Sequence, residues 1–262
     1  MTDISTILLK SGHIRAESAN NGGTWLLTLD RGAVKNALNL AMYEDLAALL
    51  AGFDASDTGR VVILAGASGC FTSGNDLSDF AAVGIDNIVS EDSSLWRFMV
   101  ALRDCSKPVI VAVDGLAIGI GTTMLLHADA VFASARASFA MPFAKLGLCP
   151  EYGSSLLLPK RIGYLKAAQW LMLGDTISAE QAQDAGLVNA VVDDDALAAA
   201  MDYALRLQIL PPKALITTKA LLKSADKNSV AQCMLAEAEH FKAALSGKEF
   251  ADAVAAFFGK SE

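Results

Sequence analysis

Apolar positions along this chain fall into short buried runs separated by helical stripes. Trp25 to Asp30 (WLLTLD) is an apolar run ended by Arg31-Gly32, which predicts a strand followed by a turn. A helix is expected next. Asn39 can cap it, and Met42, Leu46, Leu49, Leu50 and Phe53 recur on one face of a helical period. The alternation repeats with a strand from Val61 to Ala65, a glycine-rich turn, a helix carrying Leu95, Phe98, Met99 and Leu102, and a strand from Val109 to Val113. Strands alternating with helices argue for parallel pairing. Continuous runs such as VVILA and VIVAV, in place of strict alternation, argue for burial on both faces. A second glycine turn, Gly115 to Gly121, precedes the apolar segment Thr122 to His127, and short strands are expected at Ala130 to Ala133 and Ser138 to Ala140.

Beyond Pro211-Pro212 the pattern is helical only. Val230, Met234, Phe241 and Leu245 keep helical spacing, as do Phe250, Val254 and Phe257 after Gly247. The chain therefore divides into an α/β core over residues 1–205 and a helical C-terminal region over 206–262. The tail's stripes could pack on the chain's own core or against another subunit. With the larger domain already complete, subunit contact is the expectation.

Composition narrows the class. A chain of 262 residues that is 53% apolar and 19% charged can bury a substantial core without staples, and it fits neither the disordered nor the fibrous classes. The net charge of -8 disfavours a surface that neutralises phosphate backbones or anionic headgroups, so neither nucleic acid nor membrane is an expected partner. The lysines at 213, 219, 223 and 227 leave room for a phosphorylated ligand, or form a solvated helix face. Cys70, Cys105, Cys149 and Cys233 form no CxxC pair, and His13, His127 and His240 are isolated, so no metal site and no disulfide framework is expected. The N-terminus has no basic region leading into a long apolar stretch, which makes the cytoplasm the expected location.

Candidate chemistry sits in the two glycine turns, Gly66 to Asp76 and Asp114 to Gly121. Each follows a buried strand and precedes a helical segment, where glycine admits close backbone approach and the first helical NH groups lack partners. Two such turns facing one point would form an anion or oxyanion site, whereas a single one would serve only as a tight turn. Other glycine motifs fail. Asn75-Asp76 stands where a phosphate-binding loop needs Lys-Ser/Thr, neither turn completes GxGxxG with a suitably placed acidic residue, and there is no GxSxG elbow.

The segments KNALN (Lys35 to Asn39), GCFTSGNDL (Gly69 to Leu77), KPVIVAVDGLAIGIG (Lys107 to Gly121) and GDTISAEQAQDAGLVNAVV (Gly174 to Val192) resemble, in order and spacing, the signatures of the crotonase, or enoyl-CoA hydratase/isomerase, superfamily. The resemblance runs from about Trp25 to the C-terminus. It implies a crotonase-like ββα superhelix, an acyl-CoA thioester substrate, and a homotrimer or dimer of trimers built with the helical tail. No separate cofactor is implied, because coenzyme A arrives as part of the substrate. By position, the resemblance puts oxyanion NH donors on Asn75 and Ile120. Lys35, Ala37, Leu38, Ser73, Gly74, Asp76, Leu77, Gly119 and Phe143 fall at substrate-binding positions, and Phe258 with Lys260 could reach the adenine end from a neighbouring subunit.

The residues that select the reaction depart from the hydratase pattern. The two glutamates a hydratase would use align with Thr123 and Phe143, and neither side chain can move a proton. Glu151 in LCPEYGSS instead matches the loop carboxylate of the family's isomerases. Leu146, Leu148, Tyr152 and Phe143 offer apolar surroundings that would raise its pKa. Without the family, Glu151 reads as a solvated loop glutamate. The resemblance therefore implies a Δ3,Δ2-enoyl-CoA isomerase with Glu151 as acid and base. The alternatives are a hydratase or ring-epoxide acyl-CoA isomerase of the same superfamily, and a non-catalytic acyl-CoA binder. The segment from Phe80 to Leu95 is expected to border the acyl pocket.

Overall fold

A computed structural model describes residues 3–78, 90–193 and 195–258, with side chains described up to 256. The main sheet has six strands: β1 (Ile14–Ala19), β2 (Thr24–Leu29), β3 (Val61–Gly66), β4 (Val109–Val113), β6 (Ala130–Ser134) and β9 (Ala190–Val192), in the order β1-β2-β3-β4-β6-β9. Only β1 runs antiparallel to its neighbour; the others pair in parallel, as the alternating pattern predicts. A smaller sheet joins β5 (Leu116–Ile118), β7 (Ser138–Ala140) and β8 (Ile177–Ser178). The second glycine turn is thus more than a turn, because its centre is a short strand paired in parallel with β7.

The continuous apolar runs are explained by the two faces of the main sheet. Val62, Leu64, Val109, Val111 and Val113 point into one core with α1 (Leu40–Ala55) and α2 (Ser94–Asp104), while Val61, Ile63, Ala65, Ile110 and Ala112 point into another. That second face is covered by α7 (Ala196–Gln208) through Ala196, Ala200 and Ala204, small residues that let the helix lie close to the strands. Helix α7 runs three residues past the expected boundary at 205, because its packing on the sheet continues to Leu207. Helix α1 is capped as expected, with the Asn39 side chain accepting from the Met42 NH at 2.9 Å. Its stripe of Met42, Leu46, Leu49, Leu50 and Phe53 is buried.

Between β5 and α7 lie α3 (Ile120–Thr123), α4 (Ser154–Ile162), α5 (Tyr164–Leu173) and α6 (Ala179–Asp184). The tail forms α8 (Pro212–Ser224), α9 (Lys227–Leu245) and α10 (Lys248–Phe258). Of the two alternatives for the tail's stripes, packing on the chain's own core holds for that of α9. Val230, Met234, Phe241 and Leu245 of α9 are buried in the same core as β4 and α2, so the chain uses this stripe on itself. The lysine cluster is also redistributed. Lys219 is buried, donating to the Lys107 carbonyl at 2.7 Å and to Asp129 at 2.6 Å, and Lys223 donates to the His127 carbonyl at 3.0 Å. Among the described residues no helix is long and apolar enough to cross a membrane.

Candidate active site

Strands β3 and β4 lie side by side in parallel register, so the two glycine turns leave the sheet at neighbouring points. Turn one is stitched to the loop before α1. The Leu38 NH donates to the Gly74 carbonyl at 2.8 Å and the Asp76 NH to the Leu38 carbonyl at 2.9 Å, a one-residue parallel bridge opposite Asn75. Such a bridge uses the groups on either side of Asn75 and turns the NH of Asn75 itself the other way. Thr72 forms a like bridge with Ala117 of β5, which ties turn one to turn two.

Two glycines hold the turns in contact. Gly74 has φ +93°, and a Cβ there would lie 2.8 Å from the Ile118 carbonyl oxygen, so the backbones touch where only glycine fits. Gly119 has φ +57° and ψ -120°, a conformation open to glycine alone, and it starts α3. Ile120 is the first residue of that helix, a position without an intrahelical acceptor for its NH. Among the described residues, neither the Asn75 NH nor the Ile120 NH has a backbone acceptor. The Asn75 side chain is turned away from this point, since its Oδ1 accepts from the Tyr43 hydroxyl of α1.

Glu151 lies buried above these turns. It shares a small cavity of about 30 Å³ with Asn75, Leu95, Trp96, Met99, Tyr152, Met234, Ala238 and Phe241. The volume holds a water or two. Glu151 is the one acid in that lining among the described residues. Its Oε1 accepts from the Thr123 hydroxyl on α3. Burial pushes its pKa up from 4.5 to about 8; the Thr123 bond pulls it down and the nearby Glu237 carboxylate pushes it up again. The apolar setting predicted for Glu151 is present, but its source differs from the expectation. Of the four neighbours named from sequence only Tyr152 lines the cavity, and the rest of the wall comes from Asn75 of the first turn and from α2 and α9.

The expected substrate-binding residues fall into two groups. Lys35, Ala37, Leu38, Ser73, Gly74 and Asp76 come together at one rim, with the Ser73 NH donating to the Lys35 carbonyl at 2.9 Å and Asp76 paired with Arg31 at 2.5 Å. Gly119 joins them through the contact of Gly74 with Ile118. Leu77 and Phe143 are not in the cavity lining; Phe143 is a buried residue whose carbonyl receives Leu146 and Leu148 NH groups. The Phe258 side chain, Lys260 and residues 79–89 lie outside the described residues, and with them most of the expected acyl-pocket segment.

Four residues were missed by sequence reasoning. Buried Asn36 latches the rim, accepting from the Arg31 NH at 2.7 Å and donating to the Ala67 and Cys70 carbonyls at 3.0 and 2.6 Å. Its place between two residues already flagged was the available signal. Tyr43, Trp96 and Glu237 reach the site from helices distant in sequence, and nothing local marks them.

A parallel sheet carrying two touching NH-donating turns, with one buried carboxylate above them, defines the class. The enoyl-CoA hydratase/isomerase family model matches residues 19–262. The chain belongs to this family, which acts on acyl-CoA thioesters. It is 35% identical over 243 residues to the 1,2-epoxyphenylacetyl-CoA isomerase of Escherichia coli (strain K12), covering 91% of this chain and 93% of that protein. It is 32% identical over 242 residues to enoyl-CoA delta isomerase 2 of Rattus norvegicus, covering 91% of this chain and 62% of the rat protein. Among solved structures, Pseudomonas aeruginosa OdaA superposes with a TM-score of 0.90 at 43% identity, over 94% of this chain and 99% of that one.

Proposed function

We propose that this chain is a Δ3,Δ2-enoyl-CoA isomerase, a reading carried by the single acid in the cavity lining. The Glu151 carboxylate takes a proton from C2 of a 3-enoyl thioester, and the electron pair moves onto the thioester oxygen. The NH groups of Asn75 and Ile120 hold that oxyanion. The protonated Glu151 then returns the proton at C4, which leaves the double bond conjugated with the thioester. One carboxylate balances this shuttle. Hydration needs one group to activate water and another to deliver a proton, and Thr123 and Phe143 occupy the positions where the family's hydratases carry glutamates. Glu151 fits both halves of the shuttle, because a pKa of about 8 lies close to neutral pH.

Coenzyme A belongs at the rim where Lys35 to Leu38 meet Ser73 to Asp76, and the expected trimeric assembly and cytoplasmic location accompany this reading. Purified protein mixed with a cis-3-enoyl-CoA should develop the absorbance of a conjugated thioester, and should leave a 2-enoyl-CoA unhydrated. Loss of conjugation in the second mixture would overturn the proposal in favour of a hydratase.

A second reading is isomerisation of an aromatic ring-epoxide thioester. It is favoured by the aromatic cavity wall of Trp96, Tyr152 and Phe241 and by the similarity to the 1,2-epoxyphenylacetyl-CoA isomerase of Escherichia coli. Turnover of such an epoxide without turnover of the 3-enoyl-CoA would select it.

A further inference from the structure

Glu237 of α9 is buried directly behind the loop that carries Glu151. Its Oε2 accepts from the Gly153 NH at 2.5 Å, and its Oε1 accepts from the Ser155 NH at 2.8 Å and the Ser155 hydroxyl at 2.5 Å. Gly153 is the cap residue of α4 and has no side chain to do the capping, so a carboxylate from a helix more than eighty residues away does it. The loop it grips is strained. Tyr152, next to Glu151, sits at φ +61°, unfavourable for a bulky residue, and Gly153 follows at φ +73°. Two other contacts oppose that strain: His127 Nε2 donates to the Tyr152 carbonyl at 2.7 Å with its ring stacked on Tyr152, and the Tyr152 hydroxyl donates to the Met99 carbonyl at 2.8 Å.

Resting on the isomerase reading, we propose that Glu237 is a positioning residue for Glu151, holding the two NH groups that follow it so that the Glu151 carboxylate enters the cavity from one direction. The same helix brings Met234, Ala238 and Phe241 into the cavity wall, so the grip and the cover arrive together. Glu237 also acts through its charge. It is a second buried carboxylate close to Glu151, and it favours the protonated form that must hand the proton back. Few other titratable groups face this pair among the described residues. Cys149 shares the loop, and Cys233 lies one turn before Glu237 on α9. His127 comes from the 3-10 turn before β6, its pKa lowered by burial to about 3, which keeps it neutral. Arg103 of α2, paired with Asp104, reaches Tyr152 and Met234.

The test is Glu237→Gln, which keeps the shape, removes the charge and sets an amide NH₂ against one of the loop NH groups. With cis-3-enoyl-CoA, kcat should fall about tenfold or more while KM stays within about twofold. The rising limb of the pH–rate profile should move to lower pH. A carboxyl ¹³C titration of Glu151 should move the same way, whatever the substrate proves to be. Glu237→Asp keeps the charge on a shorter arm; it should lose kcat but leave the limb in place. A folded Glu237→Gln variant with wild-type kcat and an unmoved titration overturns the inference. If that variant does not fold, Ser155→Ala weakens the grip from the loop side with the charge retained, and unchanged kcat there overturns it as well. Glu151→Gln assayed alongside separates the two claims: activity surviving in that variant sinks the isomerase reading, whereas its loss with an unaffected Glu237→Gln sinks this one alone.

Discussion

The floor and the roof of the site are built by different means. The floor is backbone: two turns at the ends of adjacent parallel strands, with Gly74 packed against Ile118 and the Asn75 and Ile120 NH groups left over. The roof is side chain: Glu151 on a strained loop, enclosed by Trp96 and Met99 of α2 and Met234 and Phe241 of α9. Under the proposed reading a floor of this kind tolerates almost any side chain at its donor positions, since it would use only the NH, and Asn75 turns its amide towards Tyr43. The roof depends on each side chain, because it sets the polarity around one proton. Under the proposed reading, the family's shared chemistry belongs to the floor and the choice of reaction to the roof.

The largest expected effect comes from the roof. Glu151→Gln should lower isomerase kcat by roughly 10²- to 10⁴-fold, the span typical of a lost acid–base group, with substrate binding retained. Measured kcat and the Kd for a saturated acyl-CoA check both halves, and wild-type kcat would remove Glu151 from the mechanism.

The floor should break separately. Gly74→Ala places a methyl 2.8 Å from the Ile118 carbonyl on a backbone at φ +93°, forcing the two turns apart. A loss of about 10²- to 10³-fold in kcat is expected, as for a displaced oxyanion donor. The pH at which activity rises should stay where it was. A shift in that pH would mean that floor and roof are not independent.

The next effect is on stability. Glu151 has its pKa raised from 4.5 to about 8, so between those values the native state holds a proton that the unfolded chain has released. Stability should therefore fall as pH rises through this window and level off above about 8. Glu151→Gln should remove the fall, gaining on the order of a few kcal/mol over the parent at pH 8 and little at pH 5. Thermal unfolding at the two pH values measures it, and a parent curve that is flat across the window would contradict the burial of the charge. Activity has the opposite slope, rising with pH through the same region as the base ionises.

The smallest effect expected is from Thr123→Val. It removes the one hydrogen bond that lowers the Glu151 pKa, so the activity limb should move to higher pH by a fraction of a unit to about one unit. Movement to lower pH would show that the hydroxyl bonds the protonated form instead.

How much of this was legible in the sequence follows the same division. The buried strands, the Asn39 cap and both glycine turns are local patterns, and each stands within a residue or so of where the periodicity put it. The strand inside the second turn escaped detection because three residues of β5 carry no period of their own; their pairing with β7 makes them a strand. Helix α9 is legible as a helix, yet whether its stripe packs on the chain itself or on a neighbouring subunit is not, because amphipathicity states that a face is buried and not what buries it.

By itself, then, the sequence determined the parallel α/β core and its two glycine turns, since these follow from residue type and short spacing, while the donors at Asn75 and Ile120 and the carboxylate at position 151 were pointed to by the resemblance to the family. Tertiary structure alone decided that α9 closes over Glu151, that Thr123 and Glu237 meet its carboxylate and its loop, and that the surroundings are dry enough to raise its pKa. These are contacts between elements far apart along the chain, and desolvation is a property of the whole packed surroundings, which no local pattern encodes.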